Sequence, residues 1–236
     1  MERSEEALGD LNRAVELDPS DPKHFAARGE TYRELQRYEE ALADLSRAVE
    51  LDPSDAWAMA TRGVTYRELE RYEEALADLN RAVELDPSDA EHFADRGETY
   101  RLMQRYGQAL ADLSHAVELD PSYAWAIGTR GQTYQALKRY QEALADFNRA
   151  VELDPSYAWA IAARGETYRL MKRYKEANAD FKLARRTRRE SQASRGLEPG
   201  PGEAVAAKLP AKRLGRRVYV VSAKLREFIG TEGEAA

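Results

Sequence analysis

The feature that most constrains this chain is a repeat of 34 residues. The tripeptide Leu-Asp-Pro returns at that spacing five times, beginning at Leu17, Leu51, Leu85, Leu119 and Leu153. Two longer patterns keep the same register, Arg-Gly-x-Thr-Tyr and Tyr-x-x-Ala-x-x-Asp. A fixed period of this length indicates supersecondary units that stack on one another rather than a single compact core.

Each period is predicted to form two helices. In the second period, the first helix runs from about Asp55, a helix-capping residue, to Leu69. The second helix runs from about Tyr72 to Leu85 and ends there because Pro87 cannot continue it. One such hairpin cannot bury its apolar side alone, so the hairpins are expected to stack.

The small residues of these helices carry a resemblance to a known family. Gly63 and Ala75 lack bulk where two helices must approach, Tyr66 and Tyr72 are aromatic, and Pro87 closes the unit. In these features the chain resembles the tetratricopeptide repeat (TPR) family, in the form of a bacterial-type tandem array. The resemblance implies an all-α fold, a right-handed superhelical solenoid of helix-turn-helix repeats that ends here in a basic, partly disordered tail.

The resemblance also predicts the domain organisation. Residues 1–21 form a leading partial repeat, and residues 190–236 form a linker and basic tail with a possible short capping helix. Five repeats occupy 22–189, divided as 22–55, 56–89, 90–123, 124–157 and 158–189. Because residues 5–17 match only a second helix, the chain begins inside a repeat. This suggests a truncated chain, a misassigned start or a fragment of a longer protein, although a lone helix can also cap a solenoid.

One departure from the family is a charge beside each glycine. Where the family usually has an apolar residue, this chain has arginine, and an aspartate recurs in every second helix. The arginines are Arg28, Arg62, Arg96, Arg130 and Arg164, and the aspartates are Asp10, Asp44, Asp78, Asp112, Asp146 and Asp180. We expect them to pair between helices, within a repeat or across to the next, since an unpaired charge at a packing position is costly. Weak surface pairing is the alternative.

The resemblance implies a concave, peptide-binding surface lined by the first helices. Its candidate residues are Trp57, Val64, Arg67, Glu98, Arg101, Tyr123, Trp125, Gln132, Tyr157, Trp159, Glu166 and Arg169. Large aromatics beside arginines are typical of interface anchors, whereas the alternative is that the rings only pack between repeats. The chaperone-tail binders of the family use a lysine and asparagine clamp that is missing here. We therefore do not expect recognition of a heat-shock chaperone's acidic terminus.

Several kinds of chemistry are not expected. Cysteine is absent, which removes disulfides and thiolate chemistry. The three histidines His24, His92 and His115 are interpreted as ordinary surface residues, and the carboxylates recur with the period as helix-face charges. No nucleophile, zinc or phosphate-loop motif is present. The sequence thus predicts a binding scaffold rather than an enzyme, with no metal and no cofactor.

The charge is divided unevenly along the chain. Residues 1–181 carry a formal charge of −13 and residues 182–226 carry +10. The basic tail is interpreted as a solubilising extension, as a segment that docks on its own acidic repeats, or as a site for nucleic acid or an anionic surface. A regulatory module of a larger multidomain signalling protein is a further alternative. With no signal-peptide pattern or long apolar run, a cytoplasmic protein that binds another protein or peptide is expected, with its oligomeric state open and neither nucleic acid nor membrane as its main partner.

Overall fold

The computed structural model describes residues 2–193, 213–214 and 217–218. The chain divides into two units, Met1–Pro121 and Ser122–Ala236. The first unit holds α1 (Glu2–Leu17), α2 (Pro22–Glu34), α3 (Tyr38–Leu51), α4 (Ala56–Glu68), α5 (Tyr72–Leu85), α6 (Ala90–Leu102) and α7 (Tyr106–Leu119). The second holds α8 (Ala124–Ala136), α9 (Tyr140–Leu153), α10 (Ala158–Leu170), α11 (Tyr174–Ala193), β1 (Arg213–Leu214) and β2 (Arg217–Val218). The repeated hairpins are those predicted from the 34-residue period.

The helix starts and stops follow from local residues. Asp55 caps α4, because its side chain accepts a hydrogen bond from the backbone N–H of Ala58. At the other end of the hairpin, α5 ends at Leu85 before Pro87. The predicted bounds of both helices in this repeat are correct to within one or two residues.

The turn inside each hairpin uses a left-handed residue that is not glycine. In the second repeat Glu70 has φ of 60°, its N–H bonds the carbonyl of Arg67, and the N–H of Arg71 bonds the carbonyl of Tyr66. This pair of bonds is a Schellman motif, which usually takes glycine at the left-handed position. The equivalent residues Gln36, Gln104, Lys138 and Lys172 have φ between 59° and 63°.

The core of each hairpin forms where the small residues allow close approach. A Cβ placed on Gly63 would lie 2.9 Å from Leu79 Cγ and 3.1 Å from the carbonyl oxygen of Ala75. Leu79 is completely buried and clusters with Met59 and Ala75. Glycine is therefore required at residue 63 for contact between the two helices.

The predicted arginine–aspartate pairs form inside each repeat. Arg62 Nε and Nη2 each donate to one oxygen of Asp78, at 2.7 Å. The same two-bond geometry joins Arg28 to Asp44, Arg96 to Asp112, Arg130 to Asp146 and Arg164 to Asp180. The hydrogen bonds that Arg62 donates to Asp78 raise the pKa of Arg62. The aspartate Asp10 of α1 is exposed, and α1 has no first helix of its own repeat beside it among the described residues.

Four of these guanidinium groups, those of Arg28, Arg62, Arg96 and Arg164, also reach back to the preceding hairpin of their own unit. Arg28 Nη1 donates to Asn12 of α1 at 3.0 Å, and Arg96 Nη1 donates to Asn80 of α5 at 3.0 Å. In the second unit, Arg164 Nη1 donates to Asn148 of α9 at 3.0 Å. The arginine beside the glycine therefore links three helices, which explains why a charge replaces an apolar residue there.

The end of the chain departs from the repeat. The basic continuation of the last helix predicted over 182–189 is correct, and α11 extends to Ala193. Two short antiparallel strands, β1 and β2, follow, with Arg213 opposite Val218. Within the tail, the sequence predicts a linker over 196–202, an extended piece over 216–221 and a short helix over 222–229. The extended piece overlaps β2, while the linker and the short helix lie outside the described residues. Within residues 2–193, every helix is too short or too polar to cross a membrane.

Candidate functional site

The predicted binding residues lie on the first helices of the repeats. In the first unit, α2 contacts α4 and α4 contacts α6, and in the second unit α8 contacts α10. We define the inner stripe as the ninth and twelfth residues of these helices. In the first unit it consists of Glu30, Arg33, Val64, Arg67, Glu98 and Arg101, and in the second unit of Gln132, Gln135, Glu166 and Arg169.

Three repeats carry an ion pair within the stripe. In α6, Arg101 donates to Glu98 through Nε at 2.6 Å and Nη2 at 2.7 Å. Arg33 and Glu30 form the same pair in α2, and Arg169 and Glu166 form it in α10. In each case a glutamate at the ninth position holds the arginine one turn later along the same helix.

The other two repeats send the twelfth side chain to the next hairpin. Arg67 Nη1 donates to Asp95 of α6, reaching Oδ1 at 3.1 Å and the backbone carbonyl at 3.2 Å. In the second unit, Gln135 Nε2 donates to Thr167 Oγ1 of α10 at 2.9 Å. The ninth residues here are Val64 and Gln132, which carry no charge. The twelfth side chain therefore folds back in the repeats with glutamate at the ninth position and reaches forward in those with Val64 or Gln132.

Arg33 and Arg101 remain charged although Arg33 is buried and the Arg101 side chain is only 12% exposed. Burial lowers the pKa of Arg33, but the hydrogen bonds and charge of Glu30 outweigh it and the net shift is upward. Burial likewise opposes the effect of Glu98 on Arg101, whose pKa is also raised. A buried guanidinium that is charged and held at two nitrogens has a fixed orientation. The stripe in the first unit is therefore a set of positioned ion pairs.

The aromatic side chain of the second repeat packs against the repeat before it. Trp57 is half-buried and lies on the cluster formed by Ala26, Ala48 and Ala58, beside Phe25. The small residue at the fifth position of the preceding first helix, Ala26, belongs to this contact. This is the packing arrangement that sequence analysis weighed against a role as a binding anchor.

The same contact is tighter in the second unit. Trp159 is 8% exposed, and its ring meets Phe147 edge to face with centroids 6.3 Å apart. A Cβ on Gly128 would lie 2.5 Å from Trp159 Cζ3, so the ring occupies the space where alanine stands in other repeats. Trp159 is thus buried against the glycine of the preceding first helix, whereas Trp57 is half-buried.

The remaining aromatic candidates form pairs at the starts of first helices. The rings of Tyr123 and Trp125 are 5.9 Å apart, and both residues are buried. Tyr157 is half-buried, with its ring 5.4 Å from that of Trp159. Packing accounts for the burial of Trp159, while the part that these aromatics play in binding stays a prediction.

The interpretation of the histidines needs one correction. His115 is exposed and His24 is half-buried, but His92 is only 2% exposed, so the prediction that it is a surface residue was wrong. It occupies the third position of its helix, which is a buried alanine in the second, fourth and fifth repeats, Ala58, Ala126 and Ala160. The alanine that recurs at this third position indicated that the position packs between hairpins.

Within the part of the chain that the structure describes, His92 stands close to two carboxylates. Ligand atoms of Asp86, Asp89 and His92 lie within 4.8 Å of one another. Both carboxylates already have structural bonds, because Asp86 accepts from the N–H and hydroxyl of Ser88 and Asp89 caps α6. The same hydrogen bonds are found in the second repeat, where Asp52 and Asp55 have no histidine beside them. One role of these carboxylates is therefore to stabilise the turn and the start of the helix.

Two residues that accept hydrogen bonds from the inner stripe were not predicted from the sequence. Asp95 and Thr167 receive the forward contacts from the stripe, yet neither belongs to the positions that the family uses for ligands. Asp95 occupies the sixth position, where the other repeats have alanine or threonine. An acidic residue at a position that is otherwise small and neutral could have indicated a contact specific to this repeat.

Comparisons with known sequences agree on one type of repeat. Three sequence models, each described as a tetratricopeptide repeat, match residues 23–88, 61–124 and 124–157. Together they span residues 23–157, more than half of the chain. No curated protein matches the sequence.

Solved structures share the fold at low sequence identity. A crystal structure of MamA protein is 22% identical, with a TM-score of 0.60 over 76% of this chain and 98% of its own. PilF of Pseudomonas aeruginosa is 20% identical, with a TM-score of 0.65 over 72% of this chain and 77% of its own. YrrB, described as a TPR protein with an unusual peptide-binding site, is 25% identical, with a TM-score of 0.56 over 79% of this chain and 98% of its own.

Proposed function

Because the chain belongs to the tetratricopeptide repeat family, we propose that it is a cytoplasmic scaffold that binds an extended peptide segment of another protein along its inner stripe. The observation that carries this proposal is the positioning of the stripe's polar side chains by bonds to one another. Side chains fixed before binding lose less entropy when a ligand docks. The apolar sides of the hairpins are already used in stacking, so a partner on the first helices would meet the polar side chains of the stripe.

The charges of the stripe narrow the kind of segment that it would take. In the first unit, Arg33, Arg67 and Arg101 each already contact a carboxylate of this chain. An acidic peptide would have to displace Glu30, Asp95 or Glu98 before it met a guanidinium group. A segment that offers backbone amides and neutral side chains fits better, since it can accept and donate beside the existing pairs. YrrB, the peptide-binding relative, supports a peptide ligand in general terms.

A matched pair of arginines allows a direct test. Arg169 lies on the stripe and Arg173 does not, yet their side chains are 44% and 43% exposed and each bonds a glutamate three residues away. Peptides would be selected from a display library of disordered protein segments with the unaltered chain. Their affinity would then be measured for Arg169→Ala and for Arg173→Ala. We expect binding to weaken about tenfold in the first variant only, as for loss of one charged contact.

The proposal would be contradicted by equal effects of the two substitutions, or by a library that yields no binder. The aromatic residues are tested separately with Trp125→Ala and Trp159→Ala. Lost thermal stability with unchanged peptide affinity would assign these rings to packing alone. Weakened affinity at unchanged stability would instead make them part of the binding surface.

Binding of a polyanion through the basic end of the chain is a second candidate. The C-terminal half of α11 carries Arg185, Arg186, Arg188 and Arg189. Electrostatic binding of this kind would weaken steeply as salt rises. Retention on heparin at low salt that is lost on replacing these arginines would support it.

A further inference from the structure

A histidine and two carboxylates converge where the second repeat passes into the third. Asp86 follows α5 directly, Asp89 caps α6, and His92 is the third residue of α6. One ligand atom from each of the three lies within 4.8 Å of the other two. Imidazole nitrogen and carboxylate oxygen are donors that zinc and related divalent transition metals take. The three side chains therefore form a candidate metal site that uses none of the residues of the inner stripe.

The turn uses one oxygen of each carboxylate. Asp86 Oδ1 accepts hydrogen bonds from the N–H and the hydroxyl of Ser88. Asp89 Oδ1 accepts from the N–H of Glu91, while its Oδ2 lies 3.8 Å from His92 Nε2. That separation is longer than a hydrogen bond, whereas two ligand atoms of one tetrahedral zinc ion lie about 3.4 Å apart. Each carboxylate can thus hold the turn with one oxygen and a metal ion with the other.

The burial of His92 gives the site one ligand with a fixed position. Its side chain is only 2% exposed. An imidazole held in the core has little rotational freedom to lose when a metal binds. Asp86 and Asp89 are half-buried at the surface, so an ion can reach the imidazole between them. Small rotations of these two carboxylates bring the three ligand atoms to the spacing of a zinc site.

The first repeat offers an internal comparison. It carries the same sequence pattern in Asp18, Asp21 and His24, and His24 Nε2 lies 3.7 Å from Asp21 Oδ2. The His24 side chain, however, is 31% exposed, and its Nδ1 lies 3.3 Å from the backbone carbonyl of Asp18. Across the residues that the structure describes, three such ligand atoms converge only around His92. The burial of the histidine therefore distinguishes the two copies of the pattern.

We propose that Asp86, Asp89 and His92 bind a divalent transition-metal ion, with zinc as the representative, and leave its remaining position to water. The ion joins the end of α5 to the start of α6 and so links two hairpins. The imidazole selects a transition metal over magnesium or calcium, which prefer sites made of oxygen alone. Because only the folded chain holds the three ligands together, bound zinc stabilises the fold.

Zinc binding to the full chain without a histidine tag tests the proposal. Calorimetry should show one site, and zinc should raise the melting temperature in a way that EDTA reverses. His92→Ala should weaken zinc binding at least about tenfold, the loss that even outer-shell changes cause in metal sites. This variant should fold, because alanine occupies the same position in Ala58, Ala126 and Ala160. His24→Ala is the matched control and should bind zinc as the unaltered chain does.

Two conservative substitutions separate the metal site from the turn. Asp86→Asn and Asp89→Asn keep an oxygen that accepts the turn bonds, and asparagine is a good helix cap. Each removes one carboxylate and should weaken zinc binding about tenfold while the metal-free melting temperature stays close to that of the unaltered chain. Asp52→Asn and Asp55→Asn make the same changes in the turn without a histidine and should leave zinc affinity unchanged.

Three results would overturn the proposal. The first is the absence of any rise in melting temperature with zinc, or an equal affinity for zinc in the unaltered chain and in His92→Ala. The second is an equal loss of binding in His24→Ala, which would assign the zinc to histidines of the surface. The third is displacement of zinc by magnesium at equal concentration, which would leave the carboxylates as a general cation cluster without a part for the imidazole.

Discussion

Arg62 holds Asp78 through two parallel hydrogen bonds of 2.7 Å, and the same guanidinium group lies 3.4 Å from Ser46 Oγ of the preceding hairpin. The two charged side chains are 19% and 12% exposed. They are neither fully buried nor on the open surface, so the pair is more strongly coupled than an ordinary surface ion pair. Its position beside Gly63 places it at the junction of three helices.

This arrangement predicts an asymmetry between single and double substitutions. Asp78→Ala should lower the free energy of unfolding by about 3 kcal/mol, because Arg62 stays behind without its carboxylate. Replacing both residues with leucine or methionine should cost much less, since no charge is then left in the junction. Thermal and urea melts of the three proteins would measure this. A single variant that melts with the unaltered chain would contradict strong pairing.

The left-handed turn residues predict a substitution that increases stability. Glu70 has φ of 60° in a Schellman motif, where a residue with a side chain pays for the left-handed conformation. We expect Glu70→Gly to stabilise the chain by about 0.5 kcal/mol, after subtracting the greater entropy that glycine has in the unfolded chain. Glu70→Ala is the control and should bring no gain. Equal melting temperatures for the two variants would contradict this account of the turn.

Gly128 is expected to tolerate no side chain. A Cβ there would overlap Trp159, whose ring cannot retreat freely because Phe147 packs against it. Gly128→Ala should therefore destabilise the chain by about 1 to 3 kcal/mol, the range for overpacking a core. The double variant Gly128→Ala/Trp159→Phe should recover part of that loss by shortening the ring. Tryptophan fluorescence would report the displacement, and an unchanged spectrum with unchanged stability would contradict it.

The turn before each first helix predicts a dependence on acid. Hydrogen bonds from the hydroxyl and N–H of Ser54 lower the pKa of Asp52. The folded chain thus favours the carboxylate, and its contribution to stability is present above the unfolded pKa of about 3.9 and is lost as the pH falls through the folded value. Ser54→Ala should move the pKa of Asp52 up toward the unfolded value. An NMR titration of the Asp52 carboxyl in both proteins would show it.

The sequence alone predicted the helical hairpins because the period repeats every constraint that defines them. Proline and aspartate mark the boundaries of each helix, and Gly63 marks the close approach. The aspartates were predicted as partners of the arginines because both residue types recur with the same 34-residue period. What recurs in every repeat could therefore be predicted.

Contacts that depend on one repeat differing from its neighbour were harder to predict. Trp159 packs against Gly128 and Phe147, which belong to the preceding repeat. The burial of His92 depends on a slot that faces another hairpin. Such contacts join residues of different hairpins, and the pattern of one helix carries no information on them.

The inner stripe supplies a prediction about how its bonds are chosen. Val64 is uncharged, and Arg67 reaches forward to Asp95, whereas a glutamate at the ninth position holds the arginine of its own helix. Val64→Glu should therefore turn Arg67 back and release Asp95. A double-mutant cycle between Arg67 and Asp95 would give a coupling of about 1 kcal/mol in the unaltered chain and close to zero in Val64→Glu.

The control for this prediction is Val64→Gln, because glutamine is similar in length to glutamate but carries no charge. The fourth repeat already combines Gln132 with a forward contact from Gln135, so glutamine should leave the link between Arg67 and Asp95 in place. Coupling that persists in Val64→Glu would show that the ninth residue does not choose the direction. Coupling that is lost in both variants would assign the effect to the volume of Val64 rather than to charge. Loss in the glutamate variant alone would establish that a single residue sets whether each stripe side chain serves its own helix or the next hairpin.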